Sequence, residues 1–172
     1  MQGLPEYERY PVSEAEMGQR YKNWVDALSR YVVLAFNVGK ELAGEKYVER
    51  LKEEFYKLGQ RSAKHWLEVS GITEVELADC KGFGKLQDFI DDGYANFWEG
   101  YIENSPEAFE KELYTCPVVK AWSRAPELCE VMLCASMEGL IETLNPQCEA
   151  KGFSRLMTKG DKVCRFRMEM KK

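Results

Sequence analysis

The sequence predicts an α+β domain: two long antiparallel helices packed on a small, mainly antiparallel sheet, with short inserted helices and a C-terminal β-hairpin. Three observations carry this. A capping box at Ser13 opens a long apolar repeat at three- and four-residue steps. Gly44 then separates that repeat from a second helical one. From Tyr94 onward the apolar period shortens to two, and the chain closes with two alternating runs around Lys159-Gly160-Asp161-Lys162.

Residues 1–12, with prolines at 5 and 11, are expected to lie along the surface. In Ser13-Glu14-Ala15-Glu16, Ser13 is the N-cap and Glu16 the reciprocal partner at N3. Val12 and Met17 sit where a hydrophobic staple closes the entry. Met17, Tyr21, Trp24, Leu28, Tyr31, Ala35, Val38 and Leu42 form one stripe, read as a core face. On that reading Leu28→Ala costs ~2–5 kcal/mol. A second helix follows over residues 45–69, with Phe55 and Trp66 expected to be buried, and the short connection makes it an antiparallel neighbour of the first.

Ser70-Gly71 breaks the second helix. Residues 80–84 read as a flexible turn and 85–91 as a short helix; no GxGxxG or GxxxxGK[ST] pattern marks a phosphate loop. Asp91-Asp92-Gly93 reads as a turn into strands. Phe97 and Tyr101 belong to a first strand, Asn104-Ser105-Pro106 to a turn. Phe109, Lys111, Leu113 and Thr115 alternate with Glu110, Glu112 and Tyr114 in a second strand. Helical segments over 117–123 and 126–144, bent near Cys134, stop at Asn145-Pro146, because a residue before proline avoids the helical region. Residues 153–158 and 163–170 form the hairpin, with Cys164, Phe166, Met168 and Met170 on one face. Residues 1–172 thus read as one domain: a surface segment (1–12), a helical hairpin (13–69), and a sheet with inserted helices (94–172).

A net charge of −5 argues against a general nucleic-acid binder, which needs a basic surface. No apolar run approaches the ~20 residues that span a bilayer, and the N-terminus lacks a signal-peptide pattern. The expectation is a cytoplasmic protein with no membrane or nucleic-acid partner. Six cysteines in a reducing compartment are expected to be free thiols. Scattered thiols of this kind are often small buried hydrophobes. Four thiolates from Cys116, Cys129, Cys134 and Cys164 suit tetrahedral zinc, but their spacings contain no close pair, so no cofactor is expected and zinc is the alternative.

Tyr114-Thr115-Cys116-Pro117 reads as a strand end turning into a helix, since proline is favoured at the first helical position. A thiol at that N-cap faces free N–H groups and the positive end of the helix dipole. Its pKa is expected below the free value of ~8.5, favouring a nucleophilic thiolate. His65, the one histidine, lies near the apolar stripe of the second helix. It reads either as a hydrogen-bonded core residue or as a general base reaching toward the cysteines.

The order Cys116-Pro117, Pro126-Glu127-Leu128-Cys129, Cys134, Asn145-Pro146 and Gly160-Asp161-Lys162-Val163-Cys164-Arg165-Phe166 resembles the L-2-amino-thiazoline-4-carboxylic acid hydrolase-like family. Leu58-Gly59-Gln60-Arg61 is compatible, so the resemblance covers residues 30–170. It implies a cytosolic α+β enzyme that hydrolytically opens a small cyclic, amino-acid-derived substrate at a C=N bond. Carried over, the functional candidates are Cys116, Cys134, Asp161 and Cys164, with Cys129 beside them. The Cys116 thiolate attacks the C=N carbon, His65 or Asp161 moves protons, and Arg155, Arg165 or Lys120 meets a substrate carboxylate. The family pattern has an acidic residue shortly after the second-helix cysteine, where this chain has Met137. The Gly160-Asp161 to Phe166 ending also resembles 4-vinyl reductase-type domains, which bind small molecules and often act as sensors. Their Glu-x-x-Cys zinc element has no counterpart in residues 153–156. That resemblance implies a binding module whose cysteines are core. In either reading the partner is a small-molecule substrate or ligand, with a homo-oligomer as a further expectation.

Overall fold

Ser13 begins the first helix as its capping box requires. In the computed structural model, which describes residues 13–93 and 99–172, the Glu16 N–H donates to Ser13 Oγ and the Ser13 N–H donates to the Glu16 carboxylate at 2.9 Å. Helix α1 spans Glu14–Ala43 and closes at Gly44, which adopts φ 62°. Helix α2 (Glu45–Ser70) follows at once and ends on a left-handed Gly71. The surface segment 1–12, the Val12 staple and the strand position of Phe97 lie outside the described residues.

The α1 stripe is present but points the other way. Trp24, Tyr31, Val38 and Leu42 are exposed, and Leu28 is 41% exposed, so Leu28 is not a core residue. The inward face is Ser29, Val33 and Phe36, with Val25 and Val32 half-buried. Phe55 and Trp66 are half-buried rather than buried. The physical reason is that α2 packs chiefly on a later helix, α5 (Ala135–Leu144), and only lightly on α1. That crossing is tight: a Cβ on Gly59 would sit 1.9 Å from the Ser136 carbonyl oxygen, and one on Gly139 would sit 2.0 Å from that of Tyr56.

Residues 80–84, expected as a turn, are instead the start of helix α3 (Cys80–Gly93). Asp79 Oδ1 accepts from the Gly82 N–H at 3.0 Å. Gly82 serves packing rather than flexibility, since a Cβ there would meet the Glu76 carbonyl oxygen at 1.6 Å.

Four strands, β1 (Glu99–Asn104), β2 (Ala108–Leu113), β3 (Cys148–Arg155) and β4 (Cys164–Met170), form one sheet in the order β1-β2-β4-β3 with every neighbour antiparallel. Between β2 and β3 come a short helix α4 (Val119–Trp122), a π-helical turn over Cys129–Cys134 and α5. Near Cys134, where the sequence suggests a bend, the helix changes from π to α geometry. The hairpin connection is not a two-residue turn. A 3₁₀ turn over Met157–Lys159 leads to left-handed Gly160, and the Asp161 carboxylate accepts from the Leu156 N–H at 2.8 Å.

Helices cover one face of the sheet, and charged pairs cover the other. On the outer face Arg167 Nη1 donates to Glu103 at 2.8 Å and Glu110 at 3.0 Å, and Arg165 Nε donates to Glu112 at 3.1 Å. The inner face is met by two apolar clusters. Phe83, Leu86, Phe109, Ile141, Phe166 and Met168 belong to one, under α2, α3 and α5. Phe36, Trp122, Leu128, Leu156 and Cys164 belong to the other, under α1 and α4. Phe153 packs against both. No helix among the described residues is long and apolar enough to cross a membrane.

Candidate functional site

The residue pairing of β2 with β4 sets one wall of a cavity. Lys111 lies opposite Phe166 and Leu113 opposite Cys164, so in antiparallel register these side chains share the inner face. Where the two clusters separate, a cavity of about 390 Å³ opens, within the range of small-ligand sites. Its lining is mostly apolar, with Phe109, Leu113, Leu140, Phe153 and Phe166 prominent.

The charged residues among the described lining are Lys111 and Asp91. Lys111 is 1% exposed, and a buried ammonium must be paired. Its Nζ donates to Asp88 Oδ1 at 2.7 Å and Asp91 Oδ2 at 2.8 Å, and lies 5.7 Å from the centre of the Tyr101 ring. Gln87 Nε2 donates to Asp91 at 2.7 Å. Two buried polar atoms of the lining residues have no partner among the described residues: Gln87 Oε1 and Trp122 Nε1.

The structure brings together three of the candidates read from the sequence: Cys116, Cys129 and Cys164 all line the cavity. Cys129 Sγ lies 3.3 Å from Thr158 Oγ1, and the Met157 N–H donates to Cys164 Sγ at 3.4 Å. Cys134 is buried outside the lining, with its thiol directed to Glu138 at 3.5 Å. His65 is exposed on α2 against Trp66, at 5.6 Å between ring centres, and does not line the cavity. Asp161 closes the hairpin, and Arg155 and Lys120 are exposed. Sequence reasoning misses Lys111, Asp91, Gln87 and Trp122 as site residues. Of these, Lys111 carries a usable signal, a lysine in phase with the apolar positions Phe109 and Leu113 of a strand.

Cys116 is not the N-cap its sequence predicts: the helix after it spans only Val119–Trp122, with Val118 as N-cap, although the Val118 and Val119 N–H groups still act on the sulfur and favour the thiolate. Burial nevertheless outweighs them and pushes the thiol up to about 11, the reverse of the expected depression. Burial also raises Cys129 and Cys164, and takes Cys134 up to about 12. All six cysteines are free. Among the described residues, no group of three or more His, Cys, Asp or Glu side chains is placed to hold a metal ion.

No family model and no curated protein matches the chain. The fold has a solved counterpart. It is similar to a trafficking protein particle complex subunit 3 from Naegleria fowleri, a structure described as covalently bound to palmitic acid. The match covers 85% of this chain and 96% of that one, at 13% identity and a TM-score of 0.63. The hydrolase expectation is corrected on this finding: the fold is shared with a trafficking-complex subunit. The site agrees with the correction. His65 is exposed and does not line the cavity, and an apolar wall does not suit a small polar heterocycle as substrate.

Proposed function

We propose that this protein is a non-catalytic, cytoplasmic subunit of a protein assembly, which pairs with a second copy through the outer face of α1 and holds a long acyl chain in its core. The observation that carries this reading is the α1 stripe. Met17, Tyr21, Trp24, Leu28, Tyr31, Ala35, Val38 and Leu42 follow an a/d heptad, the spacing of a helix–helix seam. In the single chain most of that seam faces outward, with Trp24 61%, Tyr31 65% and Leu42 82% exposed, while Tyr21 also borders the cavity. Large contiguous apolar patches on a surface mark interaction sites. A seam on a helix about 45 Å long is matched by its own copy about a twofold axis, which supports a homo-oligomer. The likeness to a complex subunit supports the same reading.

The cavity favours the second half of the reading. Its apolar wall and volume of about 390 Å³ suit an alkyl chain, and the structural neighbour is described as covalently bound to palmitic acid. Light scattering on the full chain tests the pairing: the expected mass is twice that of one chain. Trp24→Glu combined with Tyr31→Glu should give a monomer with unchanged helical circular dichroism. A wild-type monomer at tens of micromolar rules the pairing out.

A further inference from the structure

We propose that the cavity selects a long apolar chain with an uncharged, hydrogen-bond-accepting head, an ester, amide or thioester carbonyl, and that Trp122 Nε1–H donates to that oxygen. This rests on the reading of the cavity as a chain-binding site and specifies which chains it takes. Trp122 is 5% exposed, lines the cavity and has no acceptor for its indole N–H among the described residues. Buried donors are nearly always satisfied, and an indole N–H can only donate. An oxygen brought by the occupant completes it.

The charges exclude a carboxylate head. Lys111 is the one cation among the described lining residues, and it already faces two carboxylates, Asp88 and Asp91. An added anion would enter a region whose local charge is negative, without a cation of its own. The same charges orient the occupant. Gln87 Oε1 and the Asp91 carboxylate present oxygen at the α3 side of the cavity, where the Lys111 ammonium already donates to Asp88 and Asp91. The α4 side holds Trp122, one helical turn beyond Val118, whose carbonyl accepts the Trp122 backbone N–H at 2.9 Å. Cys116 lines the cavity just before that turn. The head therefore lies near Cys116 and Trp122, and the tail lies along Phe109, Leu140 and Phe166.

A neutral carbonyl at that place has two sources. One is a free lipid ester or amide, held without a covalent bond. The other is a thioester on Cys116, formed from an acyl-coenzyme A thioester. In that exchange the Cys116 S–acyl bond forms, the donor's S–acyl bond breaks, and the thiol proton leaves with the coenzyme A thiol. The two are distinguished on purified full chain by mass. A hydroxylamine-labile gain that disappears in Cys116→Ser identifies the thioester. An unmodified chain with an ester or amide in its organic extract identifies the free lipid. An unmodified chain carrying only a free fatty acid overturns the proposal.

Binding tests the head directly. Delipidated full chain is titrated with methyl laurate, laurate and dodecane by displacement of a fluorescent apolar probe at pH 8. Methyl laurate is expected to bind at least about tenfold more tightly than laurate. Trp122→Phe is expected to weaken methyl laurate by about 2–10-fold, one neutral hydrogen bond, and to leave dodecane unchanged. Laurate binding as tightly as its ester in the wild type overturns the proposal, whether or not the variant folds. So does a folded Trp122→Phe protein that binds the ester like wild type. If dodecane binds and the ester gains nothing over it, the head assignment alone fails. If none of the three binds, the chain-binding reading fails with it.

Discussion

Lys111 shows how a single residue can define a site wall. Its neighbours in β2, Phe109 and Leu113, are apolar, and the ammonium is tolerated only because Asp88 and Asp91 reach it from α3. Lys111→Ala leaves Asp91 buried against an apolar wall and is expected to cost ~3–5 kcal/mol. Lys111→Met combined with Asp91→Leu, which removes both charges, should recover much of that loss in urea unfolding. Cys116 gives a pH signature. Its folded-state pKa of about 11 exceeds that of an exposed thiol, ~8.5. Both states are protonated below the lower value, so the stabilisation is fully present there and is lost as pH rises through the upper one. The thermal midpoint should therefore fall more steeply between pH 8.5 and 11 for wild type than for Cys116→Ala. Alkylation of Cys116 in the folded protein should still be accelerating at pH 10; a plateau below pH 8.5 would contradict the buried thiol.

The helices differ in what their glycines and apolar faces do. Gly59 and Gly139 bring the α2 and α5 backbones into contact, so Gly59→Ala is an overpacking change expected to cost ~1–3 kcal/mol. At Gly18 in α1 an added methyl would have nothing within 4 Å, and Gly18→Ala should stabilise by up to ~1 kcal/mol through helix propensity. Equal effects at the two sites would sink the close-crossing argument. Leu28 belongs to the outward seam, so Leu28→Ala should change the stability of an isolated chain by only ~0.5 kcal/mol. Its effect is expected instead in the dimer dissociation constant, read by sedimentation across a dilution series.

At the scale of the whole molecule, the inner face of the sheet is shared between two apolar clusters, and the cavity is the space neither fills. An occupant of the proposed kind would join them, so its binding and the protein's stability would be linked. A ligand at one hundred times its dissociation constant adds about 2.7 kcal/mol to a protein that binds it only when folded. Delipidation should therefore lower the thermal midpoint, and methyl laurate should restore it. A midpoint indifferent to both would show that the cavity has no such occupant.

What the sequence determined by itself was local. The Ser13–Glu16 box, the stops at Gly44, Gly71 and Asn145, and the alternation through β2 and β4 act over two to four residues, so they can be read without knowing what the chain meets. The shared surroundings of Cys116, Cys129 and Cys164 were partly legible for the same reason, since each sits at or beside an element end or on an alternating face. The tertiary structure alone decided which face of α1 turns inward, because a heptad marks a seam without naming its partner. It also decided the chemistry of the thiols. Helix-end donors near Cys116 are visible in the sequence, whereas the desolvation that overrides them comes from burial that only the tertiary fold produces. His65, Asp161 and Arg155 stand apart from those cysteines for a related reason: residue type indicates chemical capacity, and only the packing of α2 on α5 and the closure of the hairpin assign each a place.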